Sequence, residues 1–249
     1  MSWRSLYSLP ILECPERKLM LTIRSILCST SLLIAFAAFA TTGVASLTSN
    51  EAGTGLKAAI TRGSEFAVAE LGKNGGFLGN ERVRIALPES LRKAESAART
   101  LGFGTQADAL IEAMNHAAEA AVLEARPLLV NAVKNMSFKD AKDILLGEQD
   151  AATQYFKRTT SGELAEKFLP VVKKATAKVE LAQRYNEFAG KAAKFGLIAE
   201  KDGDIDSYVT RKTMDGLFVM IAEKEKQIRS DPVGTGSSLL KKVFGSIGK

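Results

Sequence analysis

From Gln106 to Met136 the apolar residues fall three and four apart, at Leu110, Met114, Ala117, Ala121, Ala125, Leu128, Ala132 and Met136. That spacing is the period of one buried helical face. Pro127 lies within it and predicts a kink or a split, because proline lacks the N–H and crowds the preceding turn. The same period marks residues 51–73, where Leu56, Ile60, Phe66, Ala67 and Leu71 offer an apolar face, and a shorter helix follows from about Glu89 to Leu101, ended by "GFGT". Ser137 with Asp140 fits an N-cap and an acidic third position for a short helix ending at Gly147, and "DAATQYFKR" reads as another short helix. Thr160 and Glu163 have the capping-box spacing, which predicts the start of a long helix there. Its stripe is Leu164, Phe168, Val171, Ala175, Val179 and Ala182, continuing towards Ala189, interrupted by Pro170 and ended by Gly196. Asp206 is expected to cap the last long helix, with Val209, Leu217, Phe218, Ile221 and Ile228 inward and "SDP" as the stop at 230–232.

One stretch departs from the helical period. Residues 74–93, "NGGFLGNERVRIALPESLRK", place glycines before an alternating run and then Pro88. In an extended segment Val83, Ile85 and Leu87 would face one way and Arg82 and Arg84 the other. The expected architecture is all-α: a single multi-helix bundle, residues 55–249, with a short irregular or hairpin-like insertion near residues 74–88.

Residues 20–45 change the picture at the N-terminus. Met20 is followed by Arg24, an apolar run from Ile26 to Ala40, and small residues at Gly43 and Ala45. This is the pattern of a signal peptide cut after Ala45, and the run is short for a membrane span of roughly 20 residues. Residues 1–19, with Glu13, Pro15 and Glu16, read as an extension upstream of the true start, and residues 46–54 as a flexible mature N-terminus. The expected location is periplasmic or secreted; anchoring by an uncleaved N-terminal segment is the alternative. Leu27 before Cys28 does not fit a lipobox, so lipidation there is not expected.

Composition narrows the chemistry. Cys14 and Cys28 both precede the cut, which removes disulfides, thiolate nucleophiles and cysteine metal sites from the mature chain. The net charge of +6 falls when Arg4, Arg17, Lys18 and Arg24 leave with only Glu13 and Glu16. The remaining charge is mixed in sign along the chain, so nucleic acid is not an expected partner.

Four segments carry a family resemblance: "GGFLGNERVRIALPESLRKAE", "DAATQYFKRTTSGELAEKFLPVV", "YVTRKTMDGLFVMIAEKEKQIRSDP" and the terminal "LLKKVFG". In this order they resemble the bacterial domain-of-unknown-function family 4197, over about residues 55–246. The resemblance implies an exported, predominantly helical bacterial protein, and it brings no activity and no catalytic residues with it.

The local motifs are weighed on their own chemistry. Gly75 to Gly79 lacks the Lys-Ser or Lys-Thr of a Walker loop and the spacing of a Rossmann turn, so it reads as a turn feeding a helix. Anion binding by Arg82 and Arg84 is the alternative. Ser90 and Lys93 spell S-x-x-K, but Ser238 and Lys241 repeat it and the partner motifs are missing. Asp202, Asp204 and Asp206 occupy the odd positions of a calcium loop, yet Ser207 and Thr213 stand where glycine and glutamate are needed. Helix-start acids are the plainer reading, with calcium the alternative and no other metal expected. His116, the only histidine, excludes a two-histidine zinc site and reads as a surface or packing residue.

Tyr155, Phe156, Phe168, Tyr185 and Phe188 read first as core, with a ligand groove as the alternative; Gln154, Arg158 and Arg184 are polar neighbours that could converge on it. In "SSLLKKVFGSIGK", Leu239, Leu240, Val243, Phe244 and Ile247 can share one side while Lys241 and Lys242 supply charge. That pattern suits docking as a last helix or attachment to an anionic bilayer. The functional expectation is a non-catalytic exported binding or interaction protein without a cofactor. A carboxylate-dependent hydrolase or lyase in a helical groove is one alternative. Peripheral attachment to anionic lipid or another envelope component is the other.

Overall fold

The computed structural model describes residues 49–100, 102, 104–194 and 203–231. Among them are eight helices and no strand: α1 (Ser49–Leu71), α2 (Glu89–Thr100), α3 (Gly104–Val122), α4 (Ala125–Lys134), α5 (Phe138–Leu146), α6 (Ala151–Thr176), α7 (Glu180–Lys194) and α8 (Ile205–Ser230). The chain is all-α.

The core forms where α3, α6 and α8 pack on one another. Alanine makes that approach close: Ala107, Ala117, Ala118 and Ala121 of α3 are buried, and the facing volume is filled by Phe156, Leu164 and Phe168 of α6 and by Leu217 of α8. Helices α1 and α4 pack on each other and against α8 and α6 respectively, α5 rests on α1 and α6, and α2 covers α3. Gly102, at φ +87°, makes the turn from α2 to α3 in a backbone region that residues with a Cβ rarely adopt.

Several boundaries differ from the sequence expectation, each for a local reason. The 104–134 stretch splits at Leu123 and Glu124, and Pro127 falls in the first turn of α4. A continuous helix would drive the proline ring into the carbonyl of Leu123, four residues back; in a first turn its missing N–H costs nothing. Thr160 starts no helix. It lies buried inside a continuous α6, where its hydroxyl donates to the Phe156 carbonyl at 2.7 Å. The long helix then stops at Thr176 instead of running on towards Ala189. Gln183 of α7 donates to the freed Ala177 carbonyl at 2.6 Å, which helps to hold the break. The stripe shifts with it: Leu164, Phe168, Val172 and Thr176 are buried, and Val171 and Ala175 only partly so. Asp204, not Asp206, is the N-cap of α8, accepting the Ser207 N–H at 2.9 Å. Phe66 is 43% exposed, not inward, and lies under the ammonium of Lys224 at 3.8 Å from the ring centre.

Other expectations agree with the structure. Ser137 and Asp140 make the reciprocal capping box of α5. Residues 72–88 form an irregular segment without a hairpin partner among the described residues. Within it Val83, Ile85 and Leu87 are buried while Arg82, Arg84 and Ala86 are exposed, as alternation requires. Phe77 of the same segment is fully buried and comes so close to α8 that a Cβ on Gly216 would lie 2.7 Å from its Cε1. No helix among the described residues is long and apolar enough to cross a membrane.

Candidate functional site

Buried polar side chains first separate what holds the fold from what is free to bind. Segment 72–88 has no strand beside it, so its buried backbone groups need partners from elsewhere. Asn115 of α3 provides one set: its Oδ1 accepts the Ile85 N–H at 2.8 Å and its Nδ2 donates to the Ile85 carbonyl at 2.9 Å. Glu119, one turn on, accepts the Phe77 and Leu78 N–H groups at 3.0 and 3.2 Å through Oε1. Its Oε2 lies 2.7 Å from His116 Nδ1. Burial pushes the Glu119 carboxyl up, but the His116 contact and the two N–H donors outweigh it, and its pKa is lowered. Tyr208 of α8 donates to the Ala86 carbonyl at 3.0 Å.

Glu225 does similar work at the start of α6. Asp150 is the N-cap residue but makes no capping bond with its side chain. Instead Glu225, reaching across from α8, accepts the N–H groups of Ala152 and Thr153 at 2.9 Å each and the Thr153 hydroxyl at 2.9 Å. Arg229 neutralises it at 2.9 Å and donates to the Ile144 carbonyl at 2.7 Å. The space beside this pair, lined by Leu56, Ile60, Ile221 and Ile228, has room for about 20 Å³, enough for little more than one water molecule. It is a packing gap and not a ligand site.

A second groove at this corner is different. It holds about 300 Å³ and is lined by Asp140, Asp143 and Ile144 of α5, by Glu148 and Asp150 of the connection, and by Ala151, Gln154, Tyr155 and Arg158 of α6. Three residues singled out from sequence, Gln154, Tyr155 and Arg158, therefore meet here. The i, i+1, i+4 spacing puts them on adjoining faces of α6's first turns. Tyr155 is a buried wall whose hydroxyl donates to the Ala132 carbonyl at 2.8 Å, and burial pushes its pKa up. The Arg158 guanidinium lies 5.6 Å from the centre of the Tyr155 ring and 3.6 Å from Asp140 Oδ1. Gln154 Nε2 donates to Asp150 Oδ2 at 2.7 Å. The Ser137 hydroxyl holds the Asp140 carboxyl below the usual carboxylate range. Lys139 pairs with Asp143 at 2.7 Å, while both side chains stay well exposed. Four carboxylates and the Arg158 guanidinium line the space, and Lys139 answers Asp143 beside it, so two negative charges remain and the field favours a cation.

The other sequence candidates lie apart from it. Arg82 pairs with Glu223 of α8 and Arg84 is exposed on segment 72–88; neither lines the groove. Arg184 pairs with Glu180 on α7 at 2.6 Å and does not reach it either. Tyr155, Phe156, Phe168 and Tyr185 are buried, while the side chain of Phe188 lies outside the described residues. Asp204 caps α8, and Asp206 accepts from the Thr176 hydroxyl and from Asn186 Nδ2 at 3.2 Å, with burial raising its pKa. Asp202 lies outside the described residues, as do Leu240, Lys241, Lys242 and Phe244, the signal segment 20–45, and the side chains of Ser90 and Lys93.

Sequence reasoning missed Asp143, Glu148 and Asp150 as groove acids, because they belong to a helix end and a loop whose fold-back on α6 is tertiary. It also missed Asn115 and Glu119. Their signal was present: both are polar positions on the apolar side of α3, one turn apart.

The family model for a protein of unknown function (DUF4197) matches residues 46–245. No curated protein and no solved structure matches the chain.

Proposed function

We propose, for a chain that belongs to the DUF4197 family of proteins of unknown function, that it is an exported, non-catalytic binding protein whose α5–α6 groove takes a small organic cation. The convergence of Gln154, Tyr155 and Arg158 with four carboxylates around a 300 Å³ space carries this reading. Such a volume is at the low end of small-molecule sites. Ile144, Ala151 and the Tyr155 ring offer an apolar floor for a short carbon chain, and the acids offer acceptors for an ammonium or guanidinium head. Export rests on the charged, apolar and small-residue pattern of residues 20–45.

Carboxylate catalysis fits less well. The buried acids Glu119, Asp206 and Glu225 occupy separate positions, each bonded to different donors, and none lines the groove. A hydrolase or lyase of this type needs an acid and a base placed to move protons in the cleft. Asp140, Asp143 and Asp150 of the groove are instead tied to Arg158, Lys139 and Gln154, respectively.

Calorimetric titration of the purified protein with a short aliphatic diamine, arginine amide and inorganic phosphate tests the reading. Salt-sensitive binding of one of the cations, weakened at least about tenfold in Glu148→Gln/Asp143→Asn, is expected, since each lost charge contact contributes on the order of 1 kcal/mol. No binding of either cation, or tighter binding of phosphate through Arg158, would overturn it.

A further inference from the structure

Helix α8 ends at the rim of the acidic groove. Arg229, in its last turn, donates to the Ile144 carbonyl of α5 at 2.7 Å, and Ile144 lines the groove. The chain leaves α8 at Asp231, two residues on, so residues 232–249, which lie outside the described residues, start from that rim. They hold Lys241, Lys242 and Lys249 and no Asp or Glu. The groove carries the opposite balance, with Asp140, Asp143, Glu148 and Asp150 answered only by Arg158 and, beside it, Lys139. Helix α5 also carries the two most exposed large apolar side chains among the described residues, Phe138 at 60% and Leu146 at 64%. Leu146 is its last residue and stands two positions before Glu148, so an uncovered leucine adjoins an acid of the groove. The tail repeats that pairing in the complementary sense: Leu239 and Leu240 directly precede Lys241 and Lys242. From Asp231 to Lys241 is ten residues, a span of up to ~33 Å, and the groove begins within contact of Arg229.

We propose that residues 237–249 dock on the α5–α6 corner as the chain's own occupant of the groove, with Leu239 and Leu240 against Leu146 and the ammonium groups of Lys241 and Lys242 among the groove acids. The tail then competes with an outside cation for the same carboxylates, and the groove takes its ligand when the tail is displaced. This rests on the cation preference of the groove proposed above. A lysine side chain is itself a short carbon chain with an ammonium head, the chemistry that an apolar floor beside acids suits. Two lysines and two leucines would hold only weakly between separate molecules. A tether of this length raises their effective concentration to about millimolar, which makes a weak contact a populated one.

Carbodiimide coupling of lysines to carboxylates in the dilute purified protein, with the joined peptides read by mass spectrometry, tests the docking. The Lys139–Asp143 pair, at 2.7 Å, is the internal positive control. Links from Lys241 or Lys242 to Asp143, Glu148 or Asp150 are expected, lost at high salt and suppressed by an excess of a short aliphatic diamine. In calorimetric titration, Lys241→Gln/Lys242→Gln is expected to bind the diamine about threefold more tightly than the unaltered protein, because a larger fraction of grooves is open to it. Tail links only to acids away from the corner, or no tail links while the control pair couples, would overturn the docking. So would a diamine affinity that is measurable and equal in the two proteins. Tail lysines that bind phosphatidylglycerol vesicles and couple to no groove acid would overturn it in favour of a bilayer partner. Links at the corner with no diamine binding to either protein would instead overturn the small-cation reading and leave the docking standing.

Discussion

Segment 72–88 and the α5–α6 corner both set polar groups against loop backbone, yet they do opposite things with them. In the first, every buried polar partner is used internally: Asn115 satisfies Ile85, Glu119 satisfies Phe77 and Leu78, and Tyr208 satisfies Ala86. The glycines and arginines that suggest a phosphate loop belong to a strap sealed onto α3 and α8. In the second, Glu225 accepts the first N–H groups of α6, so Asp150 is not needed as their acceptor and instead lines the groove with Asp140, Asp143 and Glu148. The N-cap side chain of α6 makes no capping bond, and the helix's first donors are met from α8 instead.

That contrast can be broken by substitution. Glu119→Ala leaves the Phe77 and Leu78 N–H groups without their acceptor in a buried setting and should cost about 3 kcal/mol of unfolding free energy in urea titrations. A loss well under 1 kcal/mol would show that the strap is not held by this carboxylate. Gly216→Ala sharpens the same point. Alanine favours the helix by up to about 1 kcal/mol, but its Cβ would lie 2.7 Å from Phe77 Cε1 and 3.2 Å from Val83 Cβ. The crowding should win, with a net loss of about 1–2 kcal/mol and a lower melting temperature; a gain would mean the strap yields freely.

The pH response is smaller. The hydrogen bond to Glu119 raises the His116 pKa above its ordinary value, so its contribution is complete below about 6.5 and is lost as pH rises through the raised value. Glu119 is depressed, so its contribution is present above the ordinary carboxylate range and is lost as pH falls through its lowered value. Since His116 is 42% exposed, solvent screening keeps its share under about 1 kcal/mol. Urea midpoints should fall slightly between pH 6 and pH 9, and His116→Gln should flatten that slope; an unchanged slope would detach His116 from the strap. At the corner, Glu148→Gln should leave stability within about 0.5 kcal/mol, because its side chain supports no buried group.

The helices were largely legible in the sequence, since their apolar period survives even where their ends do not. What misled at the ends was local chemistry with two uses. Thr160 and Glu163 have capping-box spacing, but a buried threonine can equally bond the carbonyl four residues back, and here it does. Asp204 and Asp206 both suit a helix start; Thr176 and Asn186, reached only by folding, draw Asp206 inward. Gln154, Tyr155 and Arg158 could be nominated from one helix turn. The acids opposite them could not, because α5 and its connection meet α6 only through the tertiary fold. Glu119 was hidden by the same kind of distance: its backbone partners lie about forty residues away in sequence.

The most direct test of the contrast is residue-by-residue mapping of amide chemical shifts while a short aliphatic diamine is titrated into the protein. The account predicts saturable, salt-sensitive shifts confined to residues around Asp143, Glu148, Asp150, Gln154 and Arg158, with segment 72–88 and the buried face of α3 unmoved. Shifts centred on Phe77 to Arg84, or none at the α5–α6 corner, would contradict it.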